Sequence, residues 1–417
     1  MNEIKVKLDN IFLTRYAFLA LCLSFLGLPL YLHLPKFYHD NYGLSLANIG
    51  ISLFFLRIFD AFIDPILGIL SHRFNFTQKR YFIIFSLALA FFYNAFFHLP
   101  KLQSESFNLV WFITCTMMVY LFFSLIFINY YNLGIKLVND NLLIIKLASL
   151  REVFGFIGLI IASILPFILI HFFANDSDGF IVYGVVFFLL ILFAVIILPR
   201  AENKISLEKR KDFSVLLDIY NNKPMRSLII LFFINSLPLA ISSNLFSFYV
   251  NQVLAAESLQ GVFLASYLFS AAFCAFLFSS VFKKFNKINS LIILMIISLL
   301  GFSITYFLNQ SNYQLFYLVC ILSGFGLGGE LVILSALAGE LLKKQPEYGN
   351  MFFALWTASS KIALAIAAGI FLPLISTTIN LYSIETIIFF YAIIPLGIKL
   401  VVILLTFLFK LQNVGSR

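Results

Sequence analysis

Two carboxylates and an arginine lie inside one of the most hydrophobic parts of this sequence. Asp60 and Asp64 are four residues apart, and Arg57 precedes Asp60 by three residues, within an apolar run from about residue 45 to residue 70. On a helix these spacings place all three side chains on one stripe. A carboxylate at bilayer depth costs roughly 2.5–3.5 kcal/mol on insertion scales. Two of them on one segment therefore predict a polar site that binds a cation.

The identity of that cation is open between Na⁺ and H⁺. Hard oxygen ligands suit Na⁺, whereas apolar surroundings favour the protonated form of a carboxylate and so suit H⁺. The alternative is a structural ion pair in which Arg57 satisfies Asp60 and Asp64 and holds their helix against its neighbours. No cofactor is expected beyond the coupling ion, and no catalytic residues or other metal ligands are expected.

The composition indicates an integral membrane protein. Hydrophobic residues make up 62% of the chain, charged residues 11%, and the mean hydropathy is +1.00. Apolar runs of about 18 residues or more, each matching a hydrocarbon core roughly 30 Å thick, recur along the chain. Lipid cannot satisfy backbone amides, so these runs must be helices. The twelve predicted spans are 12–35, 45–70, 81–99, 108–133, 148–174, 180–199, 226–250, 258–282, 288–308, 313–341, 350–376 and 383–410.

Lysine and arginine concentrate at one set of predicted helix ends, and the opposite ends carry only Lys36 and Lys101. By the positive-inside rule both termini are predicted to be cytoplasmic, in the inner membrane. The net charge of +9 then reflects this topology and attraction to anionic lipid. The expected partners are the bilayer, a small solute and the coupling cation, with no nucleic acid, and the chain is expected to act as a monomer.

The longest polar interruption divides the chain. It predicts an N-terminal six-helix bundle at 1–200, a cytoplasmic linker at 201–225 and a C-terminal six-helix bundle at 226–417. Leu28-Pro29 and Phe37-Tyr38 recur at nearly the same offset as Leu237-Pro238 and Phe248-Tyr249. Such a repeat resembles parallel-repeat transporters. The predicted fold is an all-α membrane protein with twelve transmembrane helices in two pseudo-symmetric bundles, the major facilitator fold.

Lys361 is the basic residue most in need of a function. It follows Trp356 in the eleventh span and precedes a run of small residues that lets helices approach closely. It is predicted to be a counter-ion to Asp60 or Asp64, a substrate contact, or both. A cation and this lysine would then compete for the carboxylates, which would couple site occupancy to conformation.

Other charged residues lie at different depths. Glu330, in the middle of the tenth span, is predicted either to pair with Arg151 or Lys361 or to act directly in transport. Lys399 is nearer a helix end and is expected to extend to the membrane surface. Glu340 is expected to be interfacial.

The chain resembles the melibiose permease family of glycoside–pentoside–hexuronide:cation symporters over most of its length. The matching stretches are Tyr16-Ala17-Phe18, Gly43-Leu44-Ser45, Arg57-x-x-Asp60-x-x-x-Asp64-Pro65-x-x-Gly68, Leu150-Arg151 with Gly155 and Gly158, and Gly349-Asn350-Met351-Phe352-Phe353 before Lys361. The resemblance implies that Asp60 and Asp64 bind the coupling cation. It also implies that Arg151 takes part in substrate binding and that Lys361 lies near the cation site.

Two departures from the family affect sugar recognition. Ser24 stands where sugar-binding members carry an aspartate in helix 1, and helix 4 lacks the expected acid, reading Phe127-Ile128-Asn129-Tyr130-Tyr131-Asn132. A pyranose is normally held by paired acidic and basic groups, so these losses put galactoside recognition in question. Tyr131 and Trp356 are further candidates for substrate contact or coupling.

The function predicted from these residues is cation-coupled symport of a small, sugar-like organic solute by alternating access. One alternative is a lipid or amphiphile carrier, or an exporter, of the same fold. A membrane-embedded enzyme or a sensor is the alternative outside transport. An enzyme is not expected, because no cluster of His, Asp or Cys marks one membrane interface.

Overall fold

The computed structural model describes residues 10–32, 34–98, 104–138, 140–173, 176–200, 214–280, 286–378 and 384–409. Every regular element in these ranges is helical. The α-helices are α1 (Asn10–Leu32), α2 (Leu34–Tyr42), α3 (Leu46–Phe74), α4 (Lys79–Ala95), α5 (Glu105–Leu137), α6 (Asn141–Phe173), α7 (Asp176–Ile197), α8 (Ser214–Asn221), α9 (Lys223–Phe248), α10 (Gln260–Ser280), α11 (Lys287–Thr305), α12 (Phe316–Lys344), α13 (Gly349–Thr378), α14 (Ile384–Ile388) and α15 (Ile394–Leu408).

Each of the twelve predicted spans corresponds to a long helix. A π-helical turn at Phe389–Ile393 joins α14 to α15, so these two form the last span. Among the described residues, nine helices are long and apolar enough to cross a membrane. The other three spans are α1, the 17-residue α4, and α3, which carries Arg57, Asp60 and Asp64. The all-helical membrane architecture is therefore confirmed.

The helices pack with the same pattern in each half of the chain. In the N-terminal half α1 packs on α6 and α7, and α5 packs on α3 and α4. In the C-terminal half α9 packs on α13 and α15, and α12 packs on α10 and α11. A pair of tyrosines repeats the symmetry, since Tyr38 Oη donates to the Phe96 carbonyl (3.0 Å) and Tyr249 Oη donates to the Thr305 carbonyl (2.6 Å).

The predicted linker contains the short helix α8, and its residues 201–213 lie outside the described ranges. The domain boundaries at residues 200 and 226 remain predictions.

Helix α3 places its two carboxylates toward the protein interior. Ser45 Oγ caps its start by accepting from Asn48 N (3.2 Å). Asn75 ends it in the left-handed region at φ 50°. Phe62, midway between the two carboxylates, is 71% exposed on the lipid side, whereas Asp60 and Asp64 are 8% and 0% exposed. The rotation of α3 therefore buries the polar stripe where α13 packs against it.

Candidate functional site

Lys361 of α13 bridges the two carboxylates of α3. Its Nζ lies 2.6 Å from Asp60 Oδ1 and 2.8 Å from Asp64 Oδ1. It also donates to Ser124 Oγ of α5 (2.6 Å), and that hydroxyl donates to Asp60 Oδ1 (3.3 Å). We call Asp60, Asp64, Ser124 and Lys361 the ion cluster. It joins α3 and α5 of the N-terminal half to α13 of the C-terminal half, as expected for a lysine that is the counter-ion of the acid pair.

The ion cluster is not neutral. One ammonium faces two carboxylates, so the group carries one formal negative charge when all three are ionised. Asp64 Oδ2 is buried and accepts no hydrogen bond from the described residues. A buried carboxylate oxygen without a donor is costly. The geometry therefore provides a buried carboxylate oxygen that can act as a ligand for a monovalent cation. Arg57 lies partly buried on α3, one turn before Asp60.

Arg151 of α6 lies in an aromatic environment in the same interior. Its guanidinium contacts Glu152 Oε1 through Nη2 (3.1 Å) and Nε (3.3 Å), and its Cζ is 3.6 Å from the centre of the Tyr131 ring. Tyr131 stacks on Phe127 (4.3 Å) and meets Phe353 of α13 edge-on (5.2 Å between centroids). A buried cation on an aromatic face is stabilised by the ring quadrupole. The arrangement supplies a fixed fork of donors next to aromatic surface.

Tyr16 and Tyr130 form a structural pair near Arg151 that the sequence did not predict. Tyr16 Oη donates to the Tyr130 carbonyl (3.0 Å), and Tyr130 Oη donates to the Tyr16 carbonyl (3.1 Å), with the rings 4.4 Å apart. The only sequence signal was Tyr16 in the family pattern. Ser24, on the same helix α1, lies close to Gly155, one turn beyond Arg151. Ser24, which stands where sugar-binding family members carry an aspartate, therefore faces the region around Arg151.

Trp356 lies in α13, five residues before Lys361. Its ring stacks on Phe232 of α9 at 3.7 Å and is 4% exposed. The stack joins α13 to α9, so at this point Trp356 packs the C-terminal half together.

The structure corrects two predictions about Glu330 and Lys399. Glu330 pairs with Lys399 of α15 (Nζ to Oε2, 2.5 Å), so the prediction of a partner at Arg151 or Lys361 was wrong. Its oxygens also accept from Asn235 (2.9 Å) and Ser298 (3.0 Å), and Lys399 donates to Asn235 Oδ1 (2.9 Å).

Lys399 was predicted to reach the membrane surface, and this was also wrong. Lys399 is only 5% exposed, and its ammonium is held inside the C-terminal half. The periodicity of an isolated span does not say which neighbour a side chain meets.

The two halves are closed against each other at one end. We call this the basic end, since Arg73, Lys343 and Lys344 lie there. Asn132 of α5 donates its amide to Asn350 of α13, and Lys343 Nζ of α12 donates to Asn141 Oδ1 at the start of α6 (3.4 Å). At the same end Lys287 Nζ of α11 contacts Glu340 Oε1 of α12 (2.5 Å).

Glycines allow this closure. A Cβ on Gly68 of α3 would lie 2.6 Å from the Ala354 Cβ of α13, and one on Gly349 would overlap Asn132 Oδ1. Any side chain larger than a hydrogen atom at Gly68 or Gly349 would therefore push α13 away from α3 or α5 at the basic end.

Two six-helix halves that meet along α3, α5, α6, α10, α12 and α13, with charges buried at their interface, define a transporter of the major facilitator class. The chain belongs to the MFS/sugar transport protein family, which it matches over residues 16–413. It is accordingly a multi-pass membrane transporter and not an enzyme. No curated protein matches the sequence.

Solved transporters share the fold at low sequence identity. A crystal structure of a bacterial homologue of the iron transporter ferroportin, in an outward-facing state, superposes with a TM-score of 0.76 at 13% identity, covering 97% of this chain and 100% of that one. A crystal structure of a bacterial homologue of ferroportin in an outward-facing state with soaked iron gives a TM-score of 0.73 at 15% identity, covering 97% of this chain and 99% of that one. The human organic anion transporter MFSD10 (TETRAN) gives 0.67 at 15% identity, covering 95% and 98%. At these identities the comparison establishes the fold alone.

Proposed function

We propose that this protein is a cation-coupled symporter that carries a small, sugar-like organic solute inward across the inner membrane, with both termini cytoplasmic. The observation that carries the proposal is the ion cluster. Two carboxylates inside the membrane share one lysine, and that lysine comes from the other half of the molecule. The basic end is then the cytoplasmic end by the positive-inside rule.

Competition between the cation and Lys361 supplies the coupling. When no cation is bound, the ammonium of Lys361 neutralises part of the charge on Asp60 and Asp64 and holds α13 against α3. A cation bound by the same oxygens weakens this contact, because the carboxylates no longer attract the ammonium as strongly. The relative free energies of the two arrangements of the halves therefore change with site occupancy.

The solute site of this proposal lies around Arg151. Guanidinium N–H groups donate to sugar hydroxyls, and aromatic rings such as Tyr131 pack on apolar faces of a sugar. The acids missing from helices 1 and 4 have a nearby replacement, because Glu152 pairs with Arg151 at 3.1 Å and its side chain is 14% exposed. An acidic and a basic group are thus paired at one place, which is the chemistry that hydroxyl recognition requires.

Uptake into proteoliposomes tests the proposal. A panel of sugars, organic anions and lysolipids is offered with an inward Na⁺ gradient, an inward H⁺ gradient or neither. We expect a sugar-like solute to accumulate with one of the two gradients. Accumulation should be lost in Asp60→Asn and Asp64→Asn, which remove a charge with little change of shape.

Glu105→Gln is the matched control, since it makes the same acid-to-amide change at an exposed position far from the ion cluster. Uptake by the wild type that is indifferent to both gradients would refute coupling. Gradient-driven accumulation of lysolipid in place of sugar would refute the solute class and favour an amphiphile carrier.

A further inference from the structure

A groove of about 250 Å³ lies at the basic end, where the start of α1 meets the end of α7. Its walls combine an apolar and a polar set of side chains, and they are separate from the ion cluster and from Arg151. The lining residues are Asn10, Ile11, Thr14, Arg15, Phe18 and Ile197.

Basic side chains surround this groove. Arg15 is exposed within it, and Lys146 of α6 donates to Asn10 Oδ1 in its wall (2.6 Å). Lys79 of α4 donates to the Ile196 carbonyl and to the Leu198 carbonyl (3.3 Å), which lie at the end of α7 beside the groove. None of the six described lining residues is acidic.

Lys79 has a specific effect on the groove. The last carbonyls of a helix carry partial negative charge that would repel an anion. The ammonium of Lys79 donates hydrogen bonds to these carbonyls at the end of α7 and offsets their negative charge. An anion in the groove therefore meets Arg15 and Lys146 without that repulsion.

We propose that the groove binds one phospholipid with an anionic headgroup, such as phosphatidylglycerol. Its phosphate lies between Arg15 and Lys146, and an acyl chain runs along Ile11 and Phe18. Guanidinium groups bind phosphate through paired N–H donors. The apolar side chains identify a lipid as the source of the phosphate, since Ile11 is 63% exposed at the membrane boundary and a free phosphate would leave it uncovered.

Thermal unfolding of the purified full chain in detergent tests the proposal. Phosphatidylglycerol, phosphatidylcholine with the same acyl chains, or glycerol phosphate is added, and the melting temperature is followed by intrinsic fluorescence. A ligand that binds the folded state raises the melting temperature by mass action. We expect phosphatidylglycerol to raise it more than phosphatidylcholine does, and glycerol phosphate to leave it unchanged.

Charge variants locate the effect. Arg15→Gln and Lys146→Gln should each weaken the apparent affinity for phosphatidylglycerol about fivefold, which corresponds to about 1 kcal/mol per cation. Arg15→Lys keeps the charge and should retain most of the effect. Lys344→Gln is the matched control, because it removes an exposed cation from the same end of the other half.

Four results would overturn the proposal. One is an equal response to the two lipids, and a second is an unchanged response in the Arg15→Gln, Lys146→Gln double variant. Another is a response to glycerol phosphate that equals the response to phosphatidylglycerol, which would mean a free anion. The last is a lipid response that appears only after deletion of residues 2–9, which would mean that the chain's own start occupies the groove.

Discussion

Glu330 and Lys399 show, at the scale of single residues, that charge inside the membrane has two uses in this protein. Every described polar atom of this pair has a partner, because Glu330 accepts from Asn235, Ser298 and Lys399, and Lys399 also donates to Asn235. In the ion cluster, by contrast, Asp64 Oδ2 accepts no hydrogen bond from the described residues. A fully satisfied pair within one half specifies packing, whereas a pair with an unmet oxygen between the halves is suited to binding a cation.

Neutralising one member of the Glu330–Lys399 pair should destabilise the protein strongly. Glu330→Gln leaves the buried ammonium of Lys399 without its carboxylate, and Lys399→Met leaves the carboxylate without its ammonium; each should cost about 3–5 kcal/mol. The double variant leaves no buried charge and should recover much of the loss. Thermal unfolding in detergent measures the stability of the three variants relative to the wild type.

A smaller effect is expected for the control Lys344→Gln, because Lys344 is exposed and its removal leaves no buried charge without a partner. Single variants as stable as the wild type would show that the buried pair has no structural role.

At the scale of helices, close approach of α3 to α13 depends on Gly68. A Cβ there would lie 2.6 Å from the Ala354 Cβ, so Gly68→Ala should open the basic end. Gly50→Ala changes the same residue type on the same helix where nothing lies within 4 Å, and it should have no effect.

Spin labels on cysteines that replace the exposed Arg73 and Lys344 report this opening as a longer distance between the halves. The four native cysteines are buried, which limits stray labelling. Equal distance distributions in Gly68→Ala and Gly50→Ala would contradict the role given to Gly68.

Helix limits could be predicted from the sequence much better than helix neighbours. The span predicted at 45–70 is observed as Leu46–Phe74, and the one at 313–341 as Phe316–Lys344. Hydrophobic length sets these limits locally. The partner of Lys399, in contrast, is Glu330, 69 positions away on α12. Lys399 faces the interior because of how α15 packs against the other helices, which the sequence of one helix does not specify. Lys361 could be placed near the acid pair because buried carboxylates need a counter-ion and because the family resemblance implies a lysine near the cation site.

At the scale of the whole molecule, the two halves are repeated in packing and different in chemistry. Tyr38 and Tyr249 make the same hydrogen bond in the two halves, whereas the acid pair of α3 has Ala271 and Ala275 at the corresponding positions of α10. The N-terminal half therefore contributes two carboxylates, and the C-terminal half contributes the lysine that pairs with them. In the proposed mechanism, this division makes the contact between the halves sensitive to cation binding.

Equilibrium cation binding in Lys361→Met tests this account most directly, since it needs no knowledge of the solute. Calorimetry measures Na⁺ binding and potentiometric titration measures H⁺ binding, for the wild type, Lys361→Met and Asp64→Asn. Removing the ammonium leaves two carboxylates without their competitor. We predict that the coupling cation binds Lys361→Met at least about tenfold more tightly than the wild type, a change of about 1.4 kcal/mol, and does not bind Asp64→Asn. Unchanged or weaker binding in Lys361→Met, or undiminished binding in Asp64→Asn, would contradict the account.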